Sequence, residues 1–302
     1  MSFRLRNLPL LSRVGADRSD NLRTDIDAAV AGWAGAALIR VDPRNQVMVS
    51  DGRVVFGAAA ESGDRPPPDA VFLGRIADGR HVWAVRAALE AVEGADVVDL
   101  RRGGTSFDDV SAQLVASAVA LLNWHDHARF SPVDGSPTVP VKAGWARLNP
   151  LGGHEEFPRI DPAIICLVHD GGDRCVLARQ AMWPERLFSL IAGFVEAGES
   201  FETCVVREVA EEIGLDVRDV EYLGSQPWPF PRSLMVGFHA IGDPDQQFVF
   251  SDGEIAEAEW FTRAEVREAL AHGDWSSDSQ SRLLLPGSIS IAREIIESWA
   301  AM

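Results

Sequence analysis

Basic residues are scarce in this sequence: 28 Lys and Arg face 45 Asp and Glu in 302 residues, a formal net charge of −17. So acidic a chain repels polyphosphates at long range. That excludes a general nucleic-acid coat protein, and any phosphorylated substrate would need metal cations to bridge it to the carboxylates. Cysteine is scarcer still. Cys166, Cys175 and Cys204 are odd in number and show no paired spacing, which excludes a disulfide framework and suits a reducing compartment. No apolar run approaches the ~20 residues of a membrane span, and the opening residues lack the apolar segment of a secretory signal. The expectation is a cytoplasmic protein with no membrane partner. No internal repeat is visible.

What is present is ample apolar material, 46% of residues, enough for packed cores in two domains. The first third reads as β-rich. Val47 to Phe56 alternates in polarity and breaks at Asp51-Gly52, a two-residue hairpin signal. A second Asp-Gly pair, Asp78-Gly79, divides another two runs, and the proline-rich stretch from Glu61 to Asp69 reads as a surface loop. Gly103-Gly104-Thr105 is expected to open a helix of about five turns. Thr105 or Ser106 would cap it, Leu114, Ala118, Leu121 and Leu122 would be its apolar face, and it would bridge the two halves. A short Pro/Gly-rich module follows, from Phe130 to Pro158. The last half alternates strands and helices: strands at Ala163–Val168, Arg174–Ala178 and Leu187–Ile191, a helix from Ser200 to Ile213 stopped by Gly214, a capping box at Thr262 to Glu265, and a final helix from Ser290 to Trp299. The expected domains are 1–104, 105–157 and 158–302.

One stretch carries chemistry: G-F-V-E-A-G-E-S-F-E-T-C-V-V-R-E-V-A-E-E-I-G-L, Gly193 to Leu215. Glu208, Glu211 and Glu212 stand at i, i+3 and i+4, so a helix stacks their carboxylates on one face. Hard divalent cations such as Mg²⁺ or Mn²⁺ would relieve their mutual repulsion through oxygen ligands. Phe201, Val205, Val206, Val209 and Ile213 would bury on the opposite face. Arg207 could pair with Glu199 or Glu211 and lock the preceding loop to the helix. From spacing alone a solvated acidic face is the plainer reading, because Glu is a good helix former.

The residues themselves tip that balance. The segment resembles the box of the Nudix hydrolases at every fixed position: Gly193, Glu199, Arg207, Glu208, Val209, Glu211, Glu212, Gly214 and Leu215. Downstream, S-Q-P-W-P-F-P-R-S-L-M, Ser225 to Met235, resembles the array that marks the NADH pyrophosphatase family. Its alternating prolines stiffen the chain and would present Trp228 and Phe230 to a planar base. The resemblance runs from Asn123 to the C-terminus. It implies an α+β fold with a C-terminal Nudix α/β/α sandwich, a β-rich N-terminal domain and a ribbon-like linking module. It also implies a homodimer. Divalent metal would be held by Glu208, Glu212, the carbonyl of Ala192 and Glu254, with Glu257 and Glu259 as rivals for the last place. Substrate would be contacted by Phe157, Gln226, Pro227, Trp228, Pro229, Phe230, Pro231, Arg232, Ser233 and Ala292. Glu211 is the candidate for handling the attacking water; which carboxylate is the base stays open.

The implied reaction is metal-dependent hydrolysis of the pyrophosphate of NADH, and of NAD, to nicotinamide mononucleotide and AMP. Removal of NAD caps from RNA is the same chemistry on a larger substrate. ADP-ribose or a dinucleoside polyphosphate is disfavoured by the proline-aromatic array, and a non-catalytic nucleotide sensor by the intact carboxylates. In one place the sequence departs from the family. A four-cysteine zinc ribbon usually precedes the Nudix domain, but here the ligand positions read Ser131, Asp134, Asn149 and Gly152. Structural zinc takes Cys or His, so the expectation is a metal-free scaffold, with His125, His127 and His154 read as scattered surface residues.

Overall fold

The computed structural model describes residues 3–251, 253–274 and 281–302. Two compact units emerge, divided differently from the sequence expectation. One joins Met1–Ser12, Asp161–Pro227 and Ser233–Met302; the other holds Arg13–Ile160 and Trp228–Arg232. Residues 3–12 therefore pack with the C-terminal half, and the long helix and ribbon-like module pack with the N-terminal strands.

In the N-terminal unit, helices α1 (Asp20–Thr24) and α2 (Ile26–Ala31) precede β1 (Ala37–Val41), β2 (Gln46–Ser50), β3 (Arg53–Val54), β4 (Gly57–Ala58), β5 (Val71–Arg75), β6 (His81–Arg86) and β7 (Asp96–Asp99). They form two sheets, of order β4-β1-β6-β5 and β3-β2-β7. The hairpin expected at Asp51-Gly52 is there, with φ of 48° and 76° joining the antiparallel pair β2–β3. Asp78-Gly79 likewise turns β5 into β6, with Gly79 at φ 86°. After the short α3 (Leu100–Gly103), the long helix α4 runs from Asp109 to His127. It starts later than expected, because Gly104–Ser106 forms a separate 3₁₀ turn and Asp108, not Thr105 or Ser106, accepts the Ser111 N–H at 2.7 Å. Nor does it bridge the halves: it packs on β1, β3, β5 and β6 of its own unit. The ribbon-like module is a three-stranded antiparallel sheet of β8 (Val139–Val141), β9 (Ala146–Leu148) and β10 (Glu155–Glu156).

The C-terminal unit is built on β11 (Asp161–His169), β12 (Arg174–Gln180), β13 (Ile191–Phe194), β14 (Val217–Trp228), β15 (Ser233–Gly242) and β16 (Ile255–Thr262), with helices α5 (Phe201–Ile213), α6 (Arg263–Ala271) and α7 (Ile291–Ala300). The sheet order is β14-β15-β11-β12-β16, with β13 added to β11 and β11–β15 parallel. Side chains alternate across a strand, and that alternation divides the core in two. Ile164, Cys166 and Val168 of β11 meet Val205, Val209 and Ile213 of α5, while Ile165 and Leu167 meet Val266 of α6 and Ile295, Ile296 and Trp299 of α7. Helices on both faces of one mixed sheet make the expected α/β/α sandwich. Among the described residues, no helix is long and apolar enough to cross a membrane.

Candidate active site

Helix α5 carries the acidic face, and its ends are fixed by local chemistry. Ser200 accepts the Thr203 N–H while the Thr203 hydroxyl accepts the Ser200 N–H, a reciprocal cap that satisfies two otherwise free donors. Gly214 ends the helix at φ 71°, a conformation glycine adopts without strain. The stripe that buries is narrower than the sequence suggested. Cys204, Val205, Val209 and Ile213 are fully covered, but Phe201 and Val206 are 38% and 42% exposed: Phe201 lies in the first turn and Val206 on the flank, both outside the line that faces the sheet.

Arg207 organises the polar side. Its guanidinium grips Glu199 with two hydrogen bonds, Nε to Oε1 at 2.8 Å and Nη2 to Oε2 at 2.9 Å, the bidentate geometry that arginine suits best. Nη2 also donates to the Phe194 carbonyl at 2.9 Å. Nη1 reaches Glu208 and Glu211, each at 2.9 Å. The expected loop-to-helix lock thus forms on both candidate partners and takes in Glu208 as well. Arg207 holds the Glu199 carboxyl down to about 2, helped by the Glu196 N–H, so Glu199 is spoken for as a positioning group.

Glu208 is different. Burial pushes its carboxyl above the usual range; Arg207 opposes this, and the charges of Glu211 and Glu254 add to the upward push. Its carboxylate lies against the backbone of Gly193, where any β-carbon would collide with it. Gly193 is therefore needed for close approach rather than for a turn. Glu212, on the same helix, is 3% exposed, whereas Glu211 stands out in solvent. The three rivals for the distal carboxylate have these neighbours. Glu257 is taken by Arg179 at 3.2 Å and Glu259 by Arg282 at 3.0 Å, while Glu254 accepts from Gln180 Nε2 at 2.7 Å and acts electrostatically on Glu208. Gln180 was missed in the sequence; its place at the end of β12, opposite Ile255, is the signal that could have found it.

Among the described residues, no three His, Cys, Asp or Glu side chains are gathered into a ready metal cluster. The residues nevertheless fit a hard cation. The available donors are all oxygen, from Glu208, Glu212, Glu254 and the Ala192 carbonyl on β13. Negative charge around Glu208 exceeds what the single Arg207 offsets, and a divalent cation relieves that excess.

The proline-aromatic array occupies the β14–β15 connection: Gln226 and Trp228 end one strand, Pro229 to Arg232 turn, and Ser233 begins the next. Trp228 and Phe230 pack edge to face, centroids 5.0 Å apart at 83°, and both are half-buried. Gln226 is wholly buried and donates to the Ile289 carbonyl at 2.8 Å. Pro227 and Ser233 are half-buried, Pro229 is buried, and Pro231 and Arg232 are exposed. Phe157 is 58% exposed, with the Lys142 ammonium 5.1 Å from its ring centre. Ala292 is 1% exposed and faces the core against Ile295 and Trp299.

In the ribbon-like module, three of the four zinc-ligand positions meet through hydrogen bonds. Asn149 Nδ2 donates to both Asp134 oxygens at 2.9 Å, and Asn149 Oδ1 accepts the Leu151 and Gly152 N–H groups at 2.9 and 3.0 Å. Ser131 donates to Glu156 at 3.1 Å. Of the histidines, His125 is not a surface residue: it is 4% exposed, accepts from Arg147 at Nδ1 and donates from Nε2 to the Gly144 carbonyl, both at 2.8 Å.

Three family models match in turn along the chain. A NUDIX domain model matches residues 159–281, an NADH pyrophosphatase-like rudimentary NUDIX domain model matches 30–124, and an NADH pyrophosphatase zinc ribbon domain model matches 126–157. The NAD-capped RNA hydrolase NudC of Mycobacterium bovis is 73% identical over 305 residues, covering 100% of this chain and 97% of the relative, and that of Mycobacterium tuberculosis gives the same figures. The mitochondrial NAD(P)H pyrophosphatase NUDT13 of Mus musculus is 39% identical over 219 residues, 71% of this chain and 62% of the relative.

Proposed function

This chain belongs to the NADH pyrophosphatase family of Nudix hydrolases, and from that membership we propose that it hydrolyses the pyrophosphate of NADH and NAD to nicotinamide mononucleotide and AMP. The observation that carries the reading is the Glu208 carboxylate. It is half-buried against Gly193, faces the charge of Glu254, and sits beside an arginine already engaged by Glu199.

Glu208, Glu212, Glu254 and the Ala192 carbonyl would hold Mg²⁺ or Mn²⁺. When bound, the metal neutralises the pyrophosphate and lowers the pKa of a water. Glu199 and Arg207 keep the loop and helix in register so that Glu208 stays beside Gly193. Gln180 fixes one oxygen of Glu254. Glu211, exposed and only ion-paired, is free to orient or deprotonate the attacking water. The oxygen of water bonds to one phosphorus, the bridging P–O bond breaks, and the departing phosphate takes the electron pair, giving two mononucleotides. Trp228, Phe230 and the exposed Arg232, with Phe157, Gln226, Pro227, Pro229, Pro231, Ser233 and Ala292 supporting them, recognise the dinucleotide. The buried state of Gln226 and Ala292 gives these two an indirect, shape-setting part.

A second substrate is favoured by the 73% identical relatives that bear the name NAD-capped RNA hydrolase: an NAD cap on RNA, cut at the same bond. The reading also takes the enzyme to be a cytoplasmic homodimer that holds no structural zinc. The test is purified protein with NADH, NAD, ADP-ribose and NAD-capped RNA, each with Mg²⁺, Mn²⁺ or chelator. The expected products are mononucleotides, formed only with metal. Release of free nicotinamide, or full turnover in chelator, overturns the proposal. Light scattering on the same sample reads the oligomeric state.

A further inference from the structure

The N-terminal unit holds a cleft of about 200 Å³ whose walls are apolar, from Leu38, Met48, Val55, Phe56 and Leu89, and whose polar groups are Arg40, Glu61 and Glu90. Arg40 is an odd occupant of such a place. It shares a face of β1 with the fully buried Leu38, and its side chain is 19% exposed. Its only ionic partners among the described residues are long ones, Glu90 at 3.4 Å and Glu61 at 3.9 Å, whose own side chains are 72% and 65% exposed. The guanidinium lies across Gly57 of β4, where any β-carbon would collide with it. A planar fork of donors is thus held at one end of an apolar hollow, without a close acceptor, by a strand position that leaves room for it.

The chemistry of an occupant can be read from these three components. A forked guanidinium takes a carboxylate in two parallel hydrogen bonds. Two carboxylates on exposed side chains at the rim take an ammonium. An apolar hollow somewhat larger than a roughly 150 Å³ cavity that admits benzene takes one branched or aromatic side chain. A phosphate dianion fits poorly, because two carboxylates stand against one guanidinium. We propose that this cleft binds a free α-amino acid with a large apolar side chain: its carboxylate on Arg40, its ammonium between Glu61 and Glu90, its side chain among Leu38, Met48 and Leu89. The pyrophosphatase chain would then carry a small-molecule site on its N-terminal unit, separate in sequence from the Nudix box.

The site is tested by calorimetry and thermal shift on the full-length protein with L-leucine, L-methionine and L-phenylalanine. The controls are glycine, 4-methylpentanoate, which lacks the ammonium, and 3-methylbutylamine, which lacks the carboxylate. At least one of the large apolar amino acids binds, and each truncated analogue binds roughly tenfold or more weakly. Arg40→Leu and Gly57→Ala abolish binding, the second by displacing the guanidinium. Circular dichroism checks that both are folded. Should they not be, Glu90→Gln, a change on an exposed side chain, decides: it weakens the amino acid about tenfold and leaves 4-methylpentanoate unaffected. The proposal is overturned if no apolar amino acid binds at millimolar concentration, if 4-methylpentanoate binds as tightly as leucine, or if folded Arg40→Leu still binds. The readout is binding rather than turnover, so the result stands apart from the NADH reading.

Discussion

Two polar clusters in this chain solve opposite problems. On helix α5, one guanidinium serves Glu199, Glu208 and Glu211 together, and Glu208 is held beside the charge of Glu254 by burial against Gly193. Negative charge is left over. In the ribbon-like module, Asp134, Asn149 and the N–H groups of Leu151 and Gly152 pair with one another, and Arg147, His125 and Thr138 close a second network around them. There, each of these side chains has a partner. Both regions match family models that imply a metal, and they differ in charge: on α5 carboxylates outnumber the guanidinium, whereas in the module the polar groups pair with one another. Buried charge without sufficient compensation is costly, and its persistence marks function; a paired network marks a scaffold. Substitutions on α5 should therefore be read in turnover, and those in the ribbon-like module in stability.

The largest break in that contrast is Glu208→Gln. It preserves shape and removes one charge from the proposed metal site, so kcat for NADH should fall about a hundredfold or more, a loss of several kcal/mol in the transition state, with the melting temperature held or raised. Unchanged turnover at saturating Mn²⁺ means that the chemistry lies elsewhere. Gly193→Ala comes next: its methyl group must push the Glu208 carboxylate aside, and a misplacement of this kind costs roughly tenfold to a hundredfold in kcat. An active Gly193→Ala enzyme shows that Glu208 need not sit there. Trp228→Ala sharpens the contrast from the substrate side. Base stacking on an aromatic is worth ~1–3 kcal/mol, so KM for NADH should rise about tenfold, with a smaller fall in kcat. Because Trp228 also packs edge-on to Phe230, thermal stability must be measured alongside. A drop in stability with KM unmoved would reduce the array to a structural plug.

Much of the catalytic half was legible because its signals are local. Ser200, Gly214 and Thr262 end or begin helices by backbone hydrogen bonding within a few residues, and the Asp-Gly turns set their own dihedrals. The carboxylate face follows from helical periodicity, and its loop lock from one arginine within reach. What sequence missed depends on tertiary packing. The exposure of Phe201 and Val206 is decided by which line of α5 the sheet covers, the burial of Ala292 by which face of α7 is covered, and the part of Gln180 by strand register. Residues 3–12 join the C-terminal unit through Phe3 in its core and Ser12 on the Ser225 carbonyl at 2.6 Å, long-range contacts that no periodicity announces. His125 was misjudged for a similar reason: a buried histidine is recognised by its partners, and Arg147 lies more than twenty positions away.

That histidine gives a pH test. Burial lowers the pKa of His125, with Arg147 adding to the effect against the Gly144 bond, and burial likewise takes His169 down to about 4 and lowers His239. The unfolded chain gains protons on these groups below its ordinary histidine pKa of ~6.5, while the folded chain resists. Unfolded binds more protons than native in that window, so stability falls with decreasing pH. The stabilisation should be complete above about pH 7 and be lost as pH falls from there toward 4. His125→Gln, which retains one donor and one acceptor, should flatten part of that slope. A slope identical in wild type and variant removes His125 from the account.

The smallest effects belong to the ribbon-like module, and there the decisive measurement is one expected to show little. The purified protein should hold no stoichiometric zinc, and chelator should leave its melting temperature unmoved, because Asn149 and Asp134 already bridge the two turns that a metal would otherwise join. Asn149→Ala removes that bridge. It opens the Leu151 and Gly152 N–H groups to water and leaves Asp134 with its bonds from Ser136, the N–H at 2.9 Å and the side chain. Asp134, Leu151 and Gly152 are exposed, so water takes up the freed groups. What is lost is the net worth of the bonds made by the wholly buried Asn149, ~0.5–1.5 kcal/mol each; the melting temperature should drop by a few degrees. The kcat for NADH should stay within about twofold, since nothing on α5 has changed. Two results would dissolve the contrast. One tightly bound zinc per chain would mean that His154, whose Nε2 is buried without a hydrogen-bond partner, has joined a replacement site. A large loss of kcat in a stable Asn149→Ala protein would mean that the ribbon-like module acts on the chemistry. If neither appears, the module has exchanged a metal for hydrogen bonds and kept only the part that holds the chain together.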